Sequence, residues 1–356
     1  MLNWLLIFVP AAIGLEFARP DAHAAIFLVA CLGIVPLAGW MGRATEELAR
    51  HAGDGVGGLL NATFGNAAEL IIAIMALKKG LYPVVKASIT GSILGNVLLV
   101  LGAAMLAGGL RHKVQRFNMT AARAQATLLT LAAIAMVMPA AFHHLAGPGA
   151  LMQEHGLSLM ISGVLLAAYG LHLAFSLGTH KQLFEGAGAG AEDDEAEQAW
   201  PIRKCLLILG GATGMIAWIS EILVGSVQEA AAAFGMTSVF IGVVVVAIAG
   251  NAAEHSTAVV VALKNRMDLS LGIALGSSLQ IALFVAPVLV ILSRFVGPHP
   301  MDLVFTPAEV LSVFVAVLIS GQISADGESN WLEGAQLLAA YVILGMVFYF
   351  LPEAAH

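Results

Sequence analysis

Gly58-Leu59-Leu60-Asn61-Ala62-Thr63-Phe64-Gly65-Asn66-Ala67-Ala68-Glu69 lies inside a stretch apolar enough to cross a bilayer, and it ends on an amide and a carboxylate. An ionised carboxylate at the centre of a spanning helix costs about 2.5 to 3.5 kcal/mol on insertion scales, so Glu69 needs a reason to be there. The core of the stretch, Gly-Asn-Ala-Ala-Glu, returns at Gly250 to Glu254. A chain that buries the same amide and carboxylate twice is read as one that moves a cation.

The surrounding composition sets the fold class. Of the 356 residues 59% are hydrophobic and 11% charged, and mean hydropathy is +0.90; soluble domains carry about 25% charged residues. The expectation is an all-α polytopic membrane protein. Apolar runs of about 20 residues, the length a helix needs to span the hydrocarbon, predict eleven transmembrane helices. They fall near 2–18, 23–41, 57–78, 84–108, 123–142, 156–178, 203–223, 237–262, 269–295, 303–322 and 331–351. Ala22-His23-Ala24 fits the small-residue rule for signal cleavage, but the first run has no Lys or Arg before it and is interrupted by Pro10, which favours a retained helix. Cys31 and Cys205 sit in separate apolar surroundings with no CxxC spacing, which supports neither a disulfide framework nor a zinc site.

The net charge of -7 is concentrated locally, with Glu192, Asp193, Asp194, Glu195 and Glu197 in one short segment, so no nucleic-acid partner is implied. The segment follows a glycine-rich linker and is either simply solvated or a regulatory cation-binding element. Eleven of the 16 Lys and Arg residues fall on the side of the N-terminus and the even-numbered loops, and five on the other. By the positive-inside bias, the N-terminus and the acidic segment are cytoplasmic and the C-terminus is outside.

The repeated motif belongs to a longer correspondence. Asn66 and Asn251 lie 185 positions apart, as do Glu69 and Glu254, and the same offset carries Gly91-Ser92-Ile93-Leu94 onto Gly276-Ser277-Ser278-Leu279. Thr45-Glu46 and Ser220-Glu221 match more weakly at a slightly shorter offset. The expected organisation is an N-terminal helix (1–22), a first five-helix repeat (23–180), an acidic cytoplasmic linker (181–202) and a second five-helix repeat (203–356). Because five is odd, the two repeats are inverted. Inverted repeats are the usual build of secondary transporters, which bind substrate near the midplane at helices broken by Gly or Pro. Gly65 and Gly250 precede the two asparagines where such breaks are expected, although Gly also serves close helix packing.

Asn66 and Glu69 are three apart, as are Asn251 and Glu254, so each pair shares a helix face. A hard divalent ion such as calcium takes about six to eight oxygen ligands. Two Glu, two Asn and the carbonyls freed at the breaks supply them. Ser92, Asn96, Ser277, Ser278 and Gln280 are placed at the start of the following helices, where they either complete the shell or hydrogen-bond between helices. His255 either relays protons or bonds a neighbouring helix. Glu46 and Glu221, near the inner end of the second helix and the outer end of the seventh, are mouth residues or merely solvated. Two facing carboxylates carry a charge of -2 that one divalent cation or two protons neutralise, and the exclusion between those cargoes is what makes an exchanger. No enzyme is expected, since Val259 stands where an H-E-x-x-H site would need its second histidine. No cofactor is implied. Asn330 and Glu333 have the spacing of a helix-capping box.

Gly58 to Leu70, Gly250-Asn-Ala-Ala-Glu-His-Ser-Thr-Ala, Gly276-Ser-Ser-Leu-Gln-Ile-Ala and Ser329-Asn-Trp-Leu-Glu-Gly resemble the calcium/proton exchangers of the cation exchanger (CAX) group, in the calcium:cation antiporter superfamily. The resemblance spans the chain from Met41 to Trp331. It implies that Glu69 and Glu254 are the shared calcium and proton carboxylates, with Asn66 and Asn251 beside them. It also implies calcium and protons as partners in a lipid bilayer, and matches the acidic segment to the family's acidic cytoplasmic connection. The long N-terminal tail of plant members is missing, which suggests a bacterial inner-membrane exporter of calcium. Exchange of a monovalent ion, sodium or potassium, for protons on the same scaffold is the nearest alternative.

Overall fold

The computed structural model describes residues 3–52, 54–147, 151–184 and 200–352. Each of the eleven apolar runs is helical. The helices are α1 Asn3–Ala18, α2 His23–Ala52, α3 Asp54–Phe64, α4 Ala67–Lys78, α5 Tyr82–His112, α6 Met119–Ala146, α7 Leu151–Thr179, α8 Ile202–Phe234, α9 Ser238–Leu263, α10 Met267–Leu292, α11 Pro307–Ile323 and α12 Trp331–Phe350. Eight are long and apolar enough to cross a membrane, α1 and α11 are shorter, and the run over 57–78 is divided into α3 and α4. Two helices outrun their apolar stretches: α2 continues to Ala52 and α8 to Phe234. Polar side chains keep a helix going once it has left the hydrocarbon, so hydropathy underestimates such lengths.

Residues form two compact units, Met1–Ser88 with Gly190–Ala253 and Leu351–His356, and Ile89–Ala189 with Glu254–Phe350. Both draw on the first and second halves of the sequence. In the first unit, the end of α2 holds the residue that precedes α8. Trp200 stacks on Trp40 with ring centroids 5.8 Å apart, and Arg43 and Lys204 lie over its ring at 4.9 and 4.0 Å. Its backbone N–H donates to Glu47 Oε2 at 3.2 Å, and its carbonyl lies 2.7 Å from His51 Nε2. Cation–π contacts of this kind are worth about 0.5 to 2 kcal/mol each.

In the second unit, α12 packs on the later part of α5 through small residues. A Cβ on Gly102 would lie 2.9 Å from Leu337 Cβ, and one on Gly334 would lie 2.3 Å from the Leu106 nitrogen. Backbones come this close in membrane helices only at glycine. The C-terminal carbonyls of α9 are closed by residues at and after the end of α5: Gln115 Nε2 donates to Ala262 O at 2.8 Å, and His112 Nε2 donates to Leu263 O at 2.9 Å. Gln115 is fixed in a short antiparallel pairing of β1 Val114–Arg116 with β2 Glu328–Asn330, opposite Ser329. The sequence marks this segment only by the capping-box spacing of Asn330 and Glu333 and gives no sign of the strand. The helix start itself is where the spacing put it: Asn330 N–H donates to Glu333 Oε2 and Glu333 N–H donates to Asn330 Oδ1, each at 3.2 Å.

Candidate ion-binding site

In the first unit the chain breaks at Gly65-Asn66, between α3 and α4. Asn66 occupies the N-cap position of α4 with φ -105° and ψ 27°, and it is 2% exposed. Its side chain does not cap the helix, which leaves the amide for another partner. Glu69 follows in the first turn of α4, where the positive end of the helix dipole stabilises a carboxylate by about 0.3 to 1 kcal/mol. Its Oε1 lies 3.0 Å from the point a Cβ would occupy on Gly250. The carboxylate of the first motif therefore rests on the bare backbone of the second, and Gly250 is small because Glu69 takes its side-chain space.

The expected break at Gly250 does not occur. Residues 247–263 form one continuous α-helix through Gly250 and Asn251, preceded by a π-helical turn at Ile241–Val246. The reason is local: buried Asn251 donates its Nδ2 back to Ala247 O at 2.9 Å, closing its amide on its own helix rather than opening a turn. Glu254 and His255 follow in the second unit, both half-buried. His255 Nε2 is buried and has no hydrogen-bond partner among the described residues.

The second unit joins another pair of sequence candidates. Asn96 Nδ2 on α5 donates to Ser277 Oγ on α10 at 3.1 Å, both side chains being buried. These positions lie deep within their helices and not at the starts expected for them: α5 begins at Tyr82 and α10 at Met267. Asn96 falls in a π-helical turn, Gly95–Val100, and Gln280 immediately precedes the matching one, Ile281–Val285. The same irregularity thus recurs in the register of the repeat, and π turns concentrate at functional sites. Ser92 is buried on α5, whereas Ser278 donates to Ala274 O at 3.0 Å within α10.

The acidic mouth candidates are exposed. Glu46 points outward while its neighbour Glu47 is buried against Trp200, and Glu221 stands well before the end of α8 at Phe234, its carbonyl accepting from Lys79 Nζ at 3.5 Å. Glu221 is therefore not a helix-end residue, because α8 runs past its apolar stretch. The acidic run from Glu192 to Glu197 lies outside the described residues.

Two supporting contacts carried no sequence signal. Glu309, in the first turn of α11 and 2% exposed, accepts from Thr306 N–H at 2.9 Å and Thr306 Oγ1 at 2.7 Å through Oε2. Its Oε1 accepts from Thr90 Oγ1 at 3.4 Å, next to the Gly91-Ser92 motif. Gln125 Nε2, on α6, lies 4.0 Å from the Cβ position of Gly276 on α10. Glu309→Ala strands the fully buried Thr90 hydroxyl and removes a cap, so a loss of about 1 to 3 kcal/mol is expected. Thermal unfolding in detergent checks it: a lowered Tm for Glu309→Ala and a smaller drop for Glu309→Gln, which keeps an acceptor.

The sodium/calcium exchanger family model matches residues 22–178 and, a second time, 204–350. The chain belongs to the sodium/calcium exchanger protein family. Among its relatives, a Ca2+/H+ antiporter of Aphanothece halophytica is 48% identical over 359 residues, covering 98% of this chain and 96% of that protein. The Ca2+/H+ antiporter ChaA of Bacillus subtilis is 48% identical over 349 residues, covering 97% and 98%. The solved structure of native YfkE superposes with a TM-score of 0.82 at 44% identity, covering 98% of this chain and all of that one. The chain is accordingly a multi-pass helical membrane protein of an exchanger family, as its composition and motifs led one to expect.

Proposed function

We propose that this chain exchanges calcium for protons by alternating access, with Glu69 and Glu254 as the carboxylates that both cargoes share. The observation that carries the reading is the Glu69 carboxylate lying against Gly250, which ties the first motif to the second at the atom that would hold the ion. Asn66 at the α3–α4 break and Asn251 on α9 supply amide oxygens, and the backbone around Gly65 adds carbonyls. Ser92, Asn96, Ser277 and Gln280 flank the site, and His255 beside Glu254 either relays protons or bonds a neighbouring helix. The repeats over 23–180 and 203–356 are inverted, the segment over 181–202 is cytoplasmic, and the chain sits in a bacterial inner membrane with its N-terminus inside. The names carried by relatives about half identical to it support the choice of ions.

Alternation follows from charge. An empty site with both carboxylates ionised is costly to occlude, so only the calcium-loaded and proton-loaded forms reorient. The deciding test is proton flux in proteoliposomes with calcium, manganese, sodium and potassium offered in turn. Calcium is expected to drive flux, with an apparent KM that falls as pH rises because fewer protons compete for the same oxygens. Flux driven by monovalent ions alone overturns the reading.

A further inference from the structure

Between the N-terminal ends of α6 and α10, within the second unit, lies a cavity of about 50 Å³. Asn118 and Asp268 stand at its outer end, where Asn118 N–H donates to Asp268 Oδ1 and Asn118 Nδ2 donates to Leu183 O at 3.1 Å. Among the described residues, Asp268 is the one charged side chain lining it. At its inner end is Gln125, six residues into α6 and so about 9 Å along the helix. Gln125 is 7% exposed and lines the cavity. A buried amide costs about 1 to 3 kcal/mol unless protein or water partners it. The cavity supplies the room, since one water needs about 10 to 15 Å³ and polar neighbours to hold it.

Gln125 Nε2 also lies 4.0 Å from the point a Cβ would occupy on Gly276, and the next residue, Ser277, accepts from Asn96. Asp268 and Gln125 thus line one cavity, and Gln125 lies beside the residue that precedes Ser277, all inside one unit. We infer that this cavity is a water-filled inlet through which cations and protons approach the Asn96–Ser277 pair, with Gln125 positioning water at its inner end. The inference rests on the exchanger reading for what passes along the inlet, though not for its being wet. Asp268 favours cations over anions at the entrance. Gly272, which lines the inlet and has no atom within 4 Å of its Cβ position, leaves it open.

The test replaces the two buried native thiols, Cys31 and Cys205, and introduces Gln125→Cys. A charged, membrane-impermeant methanethiosulfonate is then applied separately to each side of the membrane in everted and right-side-out vesicles. Modification from one side only is expected, and adding Gly272→Phe, which fills the inlet, abolishes it. Absence of modification from either side, or modification that persists with Gly272→Phe, overturns the inlet. In the native-thiol background, Gln125→Leu slows calcium-driven proton flux and Gln125→Asn restores it; unchanged flux in Gln125→Leu overturns the role assigned to Gln125. Labelling does not depend on the transported ion. A labelled inlet in a protein without calcium/proton flux therefore sinks the exchange reading alone, and intact flux without labelling sinks the inlet alone.

Discussion

Glu69→Gln abolishes calcium-driven proton movement, and Glu254→Gln does the same, in protein that still reaches the membrane and elutes as a single species. The argument is one of charge and titration. Gln keeps the shape and one acceptor oxygen but leaves a single negative charge to face a divalent ion. It also removes one of the two groups on which protons replace that ion. A hundredfold loss of rate corresponds to about 2.7 kcal/mol, well within what a directly bound carboxylate contributes. Placed in the first turn of α4, Glu69 loses its helix-dipole stabilisation as well, a smaller effect of about 0.3 to 1 kcal/mol. Calcium uptake into everted vesicles, with the pH gradient followed in parallel, is the measurement. Wild-type exchange in either variant would remove that residue from the site.

The architecture was legible from hydropathy because a span must be apolar for about 20 residues whatever it packs against. The candidate site stood out because a carboxylate at that depth is costly and its repetition at one offset is not accidental. What the residues did not reveal is how identical letters behave in different surroundings. Gly-Asn-Ala-Ala-Glu opens a turn at Gly65-Asn66 and stays helical at Gly250-Asn251, so five residues do not determine their own conformation. In the second copy the Asn251 amide closes on Ala247 O, and the freedom that Gly250 offers is used for space rather than for a turn.

Polar partnerships across helices were equally hidden. Nothing in the periodicity of α6 marks Gln125 as the residue that reaches Gly276, or Glu309 as the one that reaches Thr90, because those pairings join positions about 150 and 219 apart. Glu46 drew attention through its match to Glu221, while Glu47 is the buried residue. The two point about 100° apart on α2, and only the position of Trp200 decides which faces inward. Both cases have the same cause: sequence patterns report which face of a helix is apolar, whereas a buried polar group is specified by one particular neighbour.

Gly250→Val abolishes exchange, and Gly250→Ala raises the apparent KM for calcium about tenfold, or about 1.4 kcal/mol. The alanine Cβ would stand 3.0 Å from Glu69 Oε1 and 3.4 Å from its Cγ and Cδ, so the carboxylate must give by a few tenths of an ångström. A displacement of that size weakens coordination without removing a ligand, whereas the two further methyl groups of valine leave the carboxylate no room to stay. The sign of the stability change separates this from simple damage. Gly in a helix interior is less favourable than Ala by about 1 kcal/mol, and Gly250 lies inside a continuous helix, so Gly250→Ala is expected to melt no lower than the wild type. Weakened calcium transport in a protein of equal or higher Tm can then come only from the lost space beside Glu69. Unaltered calcium KM in Gly250→Ala, with the variant folded, would show that the carboxylate does not work from the position it occupies against α9.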